Sequence, residues 1–188
     1  MKIGVLAIQG DFAEHIVMLK RLGVETAEVR LPSHLEGLDG LILPGGESTT
    51  IGKLSGDFGL LEPLRKFGKS HAIWGTCAGA IFLSKDARRS QPLLGIMDIT
   101  VERNAFGRQV DSFEADLDIS ELGESSTYHA IFIRAPIIES VQANARVLVT
   151  LPDKRIVAAL QGKLLATSFH PELTQDSRFH EFFLTLAR

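Results

Sequence analysis

Ala72-Ile73-Trp74-Gly75-Thr76-Cys77-Ala78-Gly79-Ala80 decides how the chain is read. An apolar run ends in Gly-Thr-Cys-Ala-Gly, and small and apolar residues continue at helical spacing through Ala80, Ile81 and Leu83. This is the cysteine form of the Gly-x-Ser-x-Gly nucleophile elbow, a tight turn from a buried strand into a helix. A turn that sharp requires small flanking residues, which accounts for Gly75, Ala78 and Gly79. Cys77 is expected in a strained backbone conformation at the helix start, its sulfur exposed above the sheet edge. A helix N-terminus favours thiolate over thiol, and the thiolate is the nucleophile. A lone cysteine is more often a small buried hydrophobe. The Gly-x-Cys-x-Gly frame behind an apolar run sets this one apart.

The segments before the elbow alternate strand and helix. Ile3 to Ile8 is a continuous apolar run, the mark of a strand covered on both faces. Asp11, with Glu14 three residues on, has capping-box spacing for a helix whose buried stripe would be Phe12, Ile16, Leu19 and Leu22, with Gly23 ending it. Short strands follow at 27–31 and 38–43, the latter closed by Pro44-Gly45-Gly46. Residues 50–67 read as one helix with an irregular glycine-containing middle, and 71–75 as the strand entering the elbow. Such alternation implies a parallel, doubly wound sheet with right-handed crossovers. Function in these sheets gathers at the carboxyl ends of the strands, where Gln9-Gly10, Gly45-Gly46-Glu47 and Cys77 all fall. The second half changes character: strands are expected at 99–103, 108–117, 130–134, 147–151 and 156–169, the last folded at Gln161-Gly162. Asp176 would cap a final helix carrying Phe179, Phe182, Phe183 and Leu186.

Composition narrows the class. At 188 residues, with 45% apolar and 23% charged residues, the chain reads as one globular domain spanning 1–188. A net charge of −3 without basic runs gives no electrostatic support for nucleic-acid or anionic-membrane binding. One cysteine fits a reducing compartment. The first apolar run breaks at Gln9-Gly10-Asp11, too short for a signal peptide, and no stretch approaches a membrane span. A cytoplasmic protein is expected.

A cysteine nucleophile needs a base that takes its proton and later returns one to the leaving group. Of six histidines, His170 stands out, because Pro171 holds the chain extended and lets Glu172 lie on the same side. Glu172 could hold one ring nitrogen while the other faces Cys77. His15, His34, His71, His129 and His180 lack such a setting and are read as structural or surface residues. No His, Cys, Asp or Glu set shows metal-ligand spacing, and no metal or cofactor is expected. An oxyanion hole could come from the N–H of Ala78 and one from Gly45-Gly46. Gly45-Gly46-Glu47-Ser48-Thr49-Thr50 matches neither phosphate-loop pattern.

Pro-Gly-Gly-Glu at 44–47, Gly-Thr-Cys-Ala-Gly at 75–79 and His-Pro-Glu at 170–172 together resemble the class I, triad-type glutamine amidotransferases. More narrowly, the chain resembles the glutaminase subunits of the ribose-phosphate-dependent pyridoxal 5′-phosphate synthases. That rests on Leu6-Ala-Ile-Gln-Gly10, 43–50, 101–117, Phe132-Ile-Arg-Ala-Pro136 and 168–174. The resemblance implies a three-layer α/β fold, mostly parallel in its central sheet, with added antiparallel strands in the second half. It implies hydrolysis of L-glutamine to glutamate and ammonia through Cys77, His170 and Glu172 and a glutamyl thioester. Glutamine would be bound by Gly45, Gly46, Glu47, Arg103, Ile133 and Arg134, a zwitterion needing a carboxylate and a guanidinium. Gln9 and Gly10 would serve the oxyanion region or a partner contact. The partner implied is a (β/α)₈-barrel synthase subunit that receives the ammonia in a heteromeric complex. A glutaminase of another amidotransferase, a γ-glutamyl peptidase and a non-enzymatic thiol sensor are the competing readings.

Overall fold

The computed structural model describes residues 1–103, 112–123 and 127–188. β1 (Lys2–Leu6) feeds α1 (Phe12–Arg21), and β2 (Glu25–Val29) passes through a 3₁₀ turn into β3 (Gly40–Leu43). α2 (Ser48–Asp57) and α3 (Leu61–Phe67) lead to β4 (Ala72–Thr76), and α4 (Ala78–Leu83) begins directly at the elbow. The strands pair in parallel in the order β2-β1-β3-β4. Successive side chains point to opposite faces. Leu41, Leu43 and Ile73 therefore join one apolar cluster, while Ile42 and Trp74 join the other. Helices covering both faces are the reason these strands read as unbroken apolar runs.

The second half contains β5 (Ser84–Asp86), β6 (Met97–Glu102), β7 (Ser112–Asp118), β8 (Thr127–Ile133), β9 (Ile137–Val141), β10 (Arg146–Thr150), β11 (Ile156–Gln161), β12 (Leu164–Thr167) and α5 (Arg178–Leu186). β12 returns beside β4 in parallel, with Thr167 opposite Thr76. This one pairing sets the strand that leads to His170 next to the strand that leads to Cys77. β11 runs antiparallel to β12 around a turn at Gly162-Lys163, where Gly162 has φ 56°. The sheet continues through β9 and β6 to β5, β10 adds to β11, and β7 and β8 form a separate antiparallel pair. No helix among the described residues is long and apolar enough to cross a membrane.

Several local expectations are corrected. Residues 50–67 form two helices, not one, because the chain turns at Gly59 (φ 66°) and buries Leu60 completely. Asp11 stands at the N-cap of α1, but its side chain makes no capping hydrogen bond; it lies towards His170 instead. The face of α1 that is buried is His15, Met18 and Leu19, with Phe12 and Ile16 only at its margin. Hydrogen bonds to His15 from elsewhere in the fold draw that polar residue to the centre of the face. Asp176 precedes the N-cap Ser177 and accepts the backbone N–H of Arg178 at 3.1 Å. β5 and β9 had no counterpart among the expected strands. The expected strand at 108–117 is seen from Ser112 onward; 108–111, like the rest of 104–111, lies outside the described residues.

Candidate active site

Cys77 has φ 47° and ψ −106°, outside the region an ordinary side chain favours. The strain is held by what surrounds it. Its N–H donates to Thr167 O at 2.8 Å, and its carbonyl accepts from Ala80 and Ile81 in the first turn of α4. A Cβ on Gly75 would come within 2.5 Å of Gly79 backbone, and one on Gly79 within 1.9 Å of Leu43 O. Neither backbone neighbour can move aside, so both glycines follow from packing. Cys77 is only 7% exposed, against the expectation of a sulfur standing free above the sheet. It is reached through a cavity of about 390 Å³ instead.

That cavity is lined by Gln9, Asp11, Gly46, Glu47, Ser48, Cys77, Ala78, Ile81, Arg103, Ile133, Arg134, Pro136 and His170. Most of them follow the carboxyl end of a strand: β1, β3, β4, β6, β8 and β12. Gly45 and Glu172 lie just behind the wall. A Cβ on Gly45 would come within 2.6 Å of His170 Cε1, so the bare backbone is what lets the imidazole sit there.

Around His170, Nδ1 is 2.6 Å from Glu172 Oε1, and the other ring nitrogen is left for Cys77. Burial disfavours the charged ring, but the hydrogen bonds and charges of Cys77 and Glu172 outweigh it and push His170 up to about 10. Burial also raises the Glu172 carboxyl, against the pull of His170. Both shifts mean that the pair holds its proton firmly. Asp11 Oδ2 lies 3.7 Å from the same Nδ1, a second carboxylate near the ring that spacing did not reveal. Asp11, His170 and Glu172 place one ligand atom each within 4.8 Å of one another. Their common nitrogen is already engaged by Glu172, which argues for a hydrogen-bonded cluster over a cation site.

Gly46 has φ 147°, and a Cβ there would lie 2.4 Å from Gln9 Oε1. The same oxygen accepts the N–H of Glu47 at 2.8 Å, and Gly45 O accepts the N–H of Asp11 at 3.1 Å. A Cβ on Gly10 (φ 95°) would lie 1.8 Å from Gly45 O. Gln9-Gly10 is thus packed against the glycine pair and tied to it. Ala78 is the first residue of α4, so its N–H has no partner within the helix.

Glu47 and Arg103, both expected to bind glutamine, pair with each other. Arg103 Nη1 lies 2.7 Å from Glu47 Oε1, while Oε2 accepts Thr49 Oγ1, Thr50 Oγ1 and the Thr50 N–H, capping α2. Burial would raise this carboxyl, but those hydrogen bonds and the guanidinium hold it down to about 2. Ile133 offers its carbonyl to the Cys77 sulfur at 3.9 Å, and Arg134 beside it has φ 45°.

A family model described as the SNO glutamine amidotransferase family matches residues 5–187. The chain belongs to this family. It is 58% identical to the pyridoxal 5′-phosphate synthase subunit PdxT of Herpetosiphon aurantiacus over 99% of this chain and 100% of that one. To the subunit of the same name from Moorella thermoacetica it is 56% identical, covering 99% of each. A crystal structure of a glutamine amidotransferase superposes with a TM-score of 0.93 at 53% identity, covering 98% of both chains.

Two residues of this neighbourhood escaped the sequence reading. Asp11 looked like a helix cap, and its place directly after Gln9-Gly10 at a strand end was the signal available. His15 looked structural, and nothing in its local sequence marks its contact with Glu172.

Proposed function

We propose that the chain hydrolyses L-glutamine to L-glutamate and ammonia, and that it does so as the glutaminase subunit of a pyridoxal 5′-phosphate synthase. The observation that carries this is Cys77 in its strained elbow, in one cavity with a His170 whose far nitrogen is held by Glu172. Family membership and relatives named as synthase subunits support the assignment to vitamin B6 synthesis.

Glutamine enters with its side-chain amide over Cys77. The sulfur, its proton passed to His170, attacks the amide carbon, and the carbonyl electrons move onto oxygen. The Ala78 N–H and one from Gly46 stabilise that oxyanion. As the electrons return, the C–N bond breaks, and His170 donates its proton to the departing nitrogen, releasing ammonia and leaving a glutamyl thioester. His170 then takes a proton from water, whose oxygen attacks the thioester; glutamate leaves and Cys77 regains its proton. Glu172 orients the ring and stabilises its cation. Glu47, Arg103 and Arg134, with the Ile133 backbone, hold the α-ammonium and α-carboxylate of the substrate, which requires the Glu47–Arg103 pair to open or to be shared.

The ammonia passes to a synthase subunit, a (β/α)₈ barrel on the grounds of resemblance, docked over the rim at Gln9-Gly10. Since Gln9 Oε1 holds the Glu47 N–H, pressure on Gln9 is transmitted to the Gly45-Gly46 peptides. The test is co-purification with a candidate synthase, followed by glutamine-dependent pyridoxal phosphate formation. A chain that hydrolyses glutamine at full rate alone, bound to no synthase, would remove the assignment to that pathway while leaving the glutaminase.

A further inference from the structure

Beneath Glu172 lies a buried polar cluster for which the chemistry above has no role. Glu172 uses Oε1 for His170; its other oxygen, Oε2, is buried without a well-formed hydrogen bond. The nitrogen facing it is His15 Nε2 at 3.4 Å, from α1, both side chains fully buried. The same Nε2 is 3.2 Å from Thr76 Oγ1, one residue before the nucleophile. On its other side, His15 Nδ1 is 3.0 Å from His180 Nε2, from α5.

We infer that His15 is a positioning residue of the glutaminase reaction, donating its Nε2–H to Glu172 Oε2 and so holding that carboxylate on His170, while His180 fixes the tautomer of His15. The inference rests on the triad reading. Burial, joined for His15 by the neighbouring His180 and His170, keeps both rings neutral. Two neutral imidazoles sharing an N···N contact place one proton between them, which leaves two arrangements. If His15 Nδ1 held the proton, His15 Nε2 could accept from Thr76 Oγ1–H but would also set its lone pair 3.4 Å from the Glu172 carboxylate. His180 Nδ1, which has no partner among the described residues, would then be a buried N–H. Both features are costly. If His180 Nε2 holds it, His15 Nε2–H points at Thr76 Oγ1 with Glu172 Oε2 3.4 Å away, and His180 Nδ1 is only a lone pair. The second arrangement removes both penalties and leaves the buried carboxylate oxygen 3.4 Å from a donor. The groups facing His15 are then His180 from α5, Thr76 from β4 and Glu172 with His170 after β12. A proton-ordered line runs from the C-terminal helix to the base.

The test uses His15→Leu, His15→Gln, His180→Phe and His180→Gln in the full chain. Glutamine hydrolysis is assayed with a synthase subunit present, and ring nitrogens are followed by NMR of ¹⁵N-histidine-labelled protein. In the wild type, His15 should be protonated at Nε2 and His180 at Nε2. His15→Leu should lower kcat about ten- to hundredfold, the scale on which groups that orient a reactive ligand act, with KM nearly unchanged. His170 should then titrate at lower pH than in the wild type. His15→Gln, whose amide N–H can reach Glu172, should recover most of both, and His180→Gln should exceed His180→Phe in the same way. Equal losses in the Leu and Gln variants, no loss in either, or a wild-type His15 carrying its proton on Nδ1 would overturn the inference. Should His15→Leu not fold, the wild-type tautomers and the His180 pair still decide. A wild type without glutaminase activity would count against the proposed function, and the tautomers and His170 titration would still judge this one.

Discussion

Cys77 can hold its strained turn only because Gly75 and Gly79, two positions to either side, lack side chains. The φ of 47° is imposed by a strand and a helix that meet with no spare residue, and Gly75 and Gly79 lie where any Cβ would strike backbone. Cys77→Ala is therefore expected to keep the fold and lose glutamine hydrolysis, and an electrophilic glutamine analogue should label the wild type at Cys77 alone. Near-native turnover by the alanine variant would end the covalent reading. His170→Asn should be nearly as damaging and Glu172→Gln less so, with the double variant losing less than the sum of the two. Fully additive losses would show that the residues do not act as a unit. Gly79→Ala should cost roughly 3 kcal/mol or more in denaturant unfolding, as a severe core clash does. Gly23→Ala, at φ 72° but with open space around the added methyl, should cost only about 1 kcal/mol. Equal costs at the two positions would disprove the packing account of the elbow.

At the scale of elements, helix ends and helix pairs carry the site. Glu47 caps α2 and meets Arg103, so one side chain serves helix and pocket together. Its carboxyl is held down to about 2, so its contribution to stability is present above about 4.5 and is lost as pH falls towards 2. Glu47→Gln should weaken the cap by roughly 0.5–1 kcal/mol and raise the glutamine KM. An unchanged KM would remove Glu47 from substrate binding. The α1–α5 contact works through His15 and His180, both lowered by burial, His180 to about 3. The unfolded chain takes up protons on these rings below about 6.5 while the folded chain refuses them, so stability is lost as pH falls from there towards 3. The slope is at most about 1.4 kcal/mol per pH unit for each histidine. Denaturant midpoints between pH 7 and 4 should flatten in His180→Phe relative to wild type. An identical pH dependence would mean that His180 is not the group responsible.

For the whole molecule, the sheet order matters more than any single contact. β12 inserted beside β4 brings the two chemical ends together, and the N-terminal strand brings Gln9-Gly10 to the rim of the same cavity. Gln9 Oε1 on the Glu47 N–H is a link between that rim and the glycine pair. Glutaminase activity is accordingly expected to be low for the isolated chain and to rise on adding the synthase subunit. Gln9→Ala should diminish that rise without abolishing binding of a covalent glutamine analogue to Cys77. A chain fully active alone and indifferent to the synthase would refute control through this rim.

From sequence alone, the parallel half of the fold, the elbow, the pairing of His170 with Glu172 and the family resemblance were all legible, because each rests on short-range chemistry. Apolar runs mark strands covered on both faces, Gly-x-Cys-x-Gly marks a turn too tight for side chains, and an i, i+2 pair across a proline meets locally. The division of residues 50–67, the true buried face of α1, the turn of Asp11 towards His170 and the pairing of Glu47 with Arg103 were decided only by tertiary structure. His15 and His180 stand 165 positions apart. Their contact depends on two helices packing on the same side of the sheet next to Trp74, a long-range placement that no local periodicity encodes.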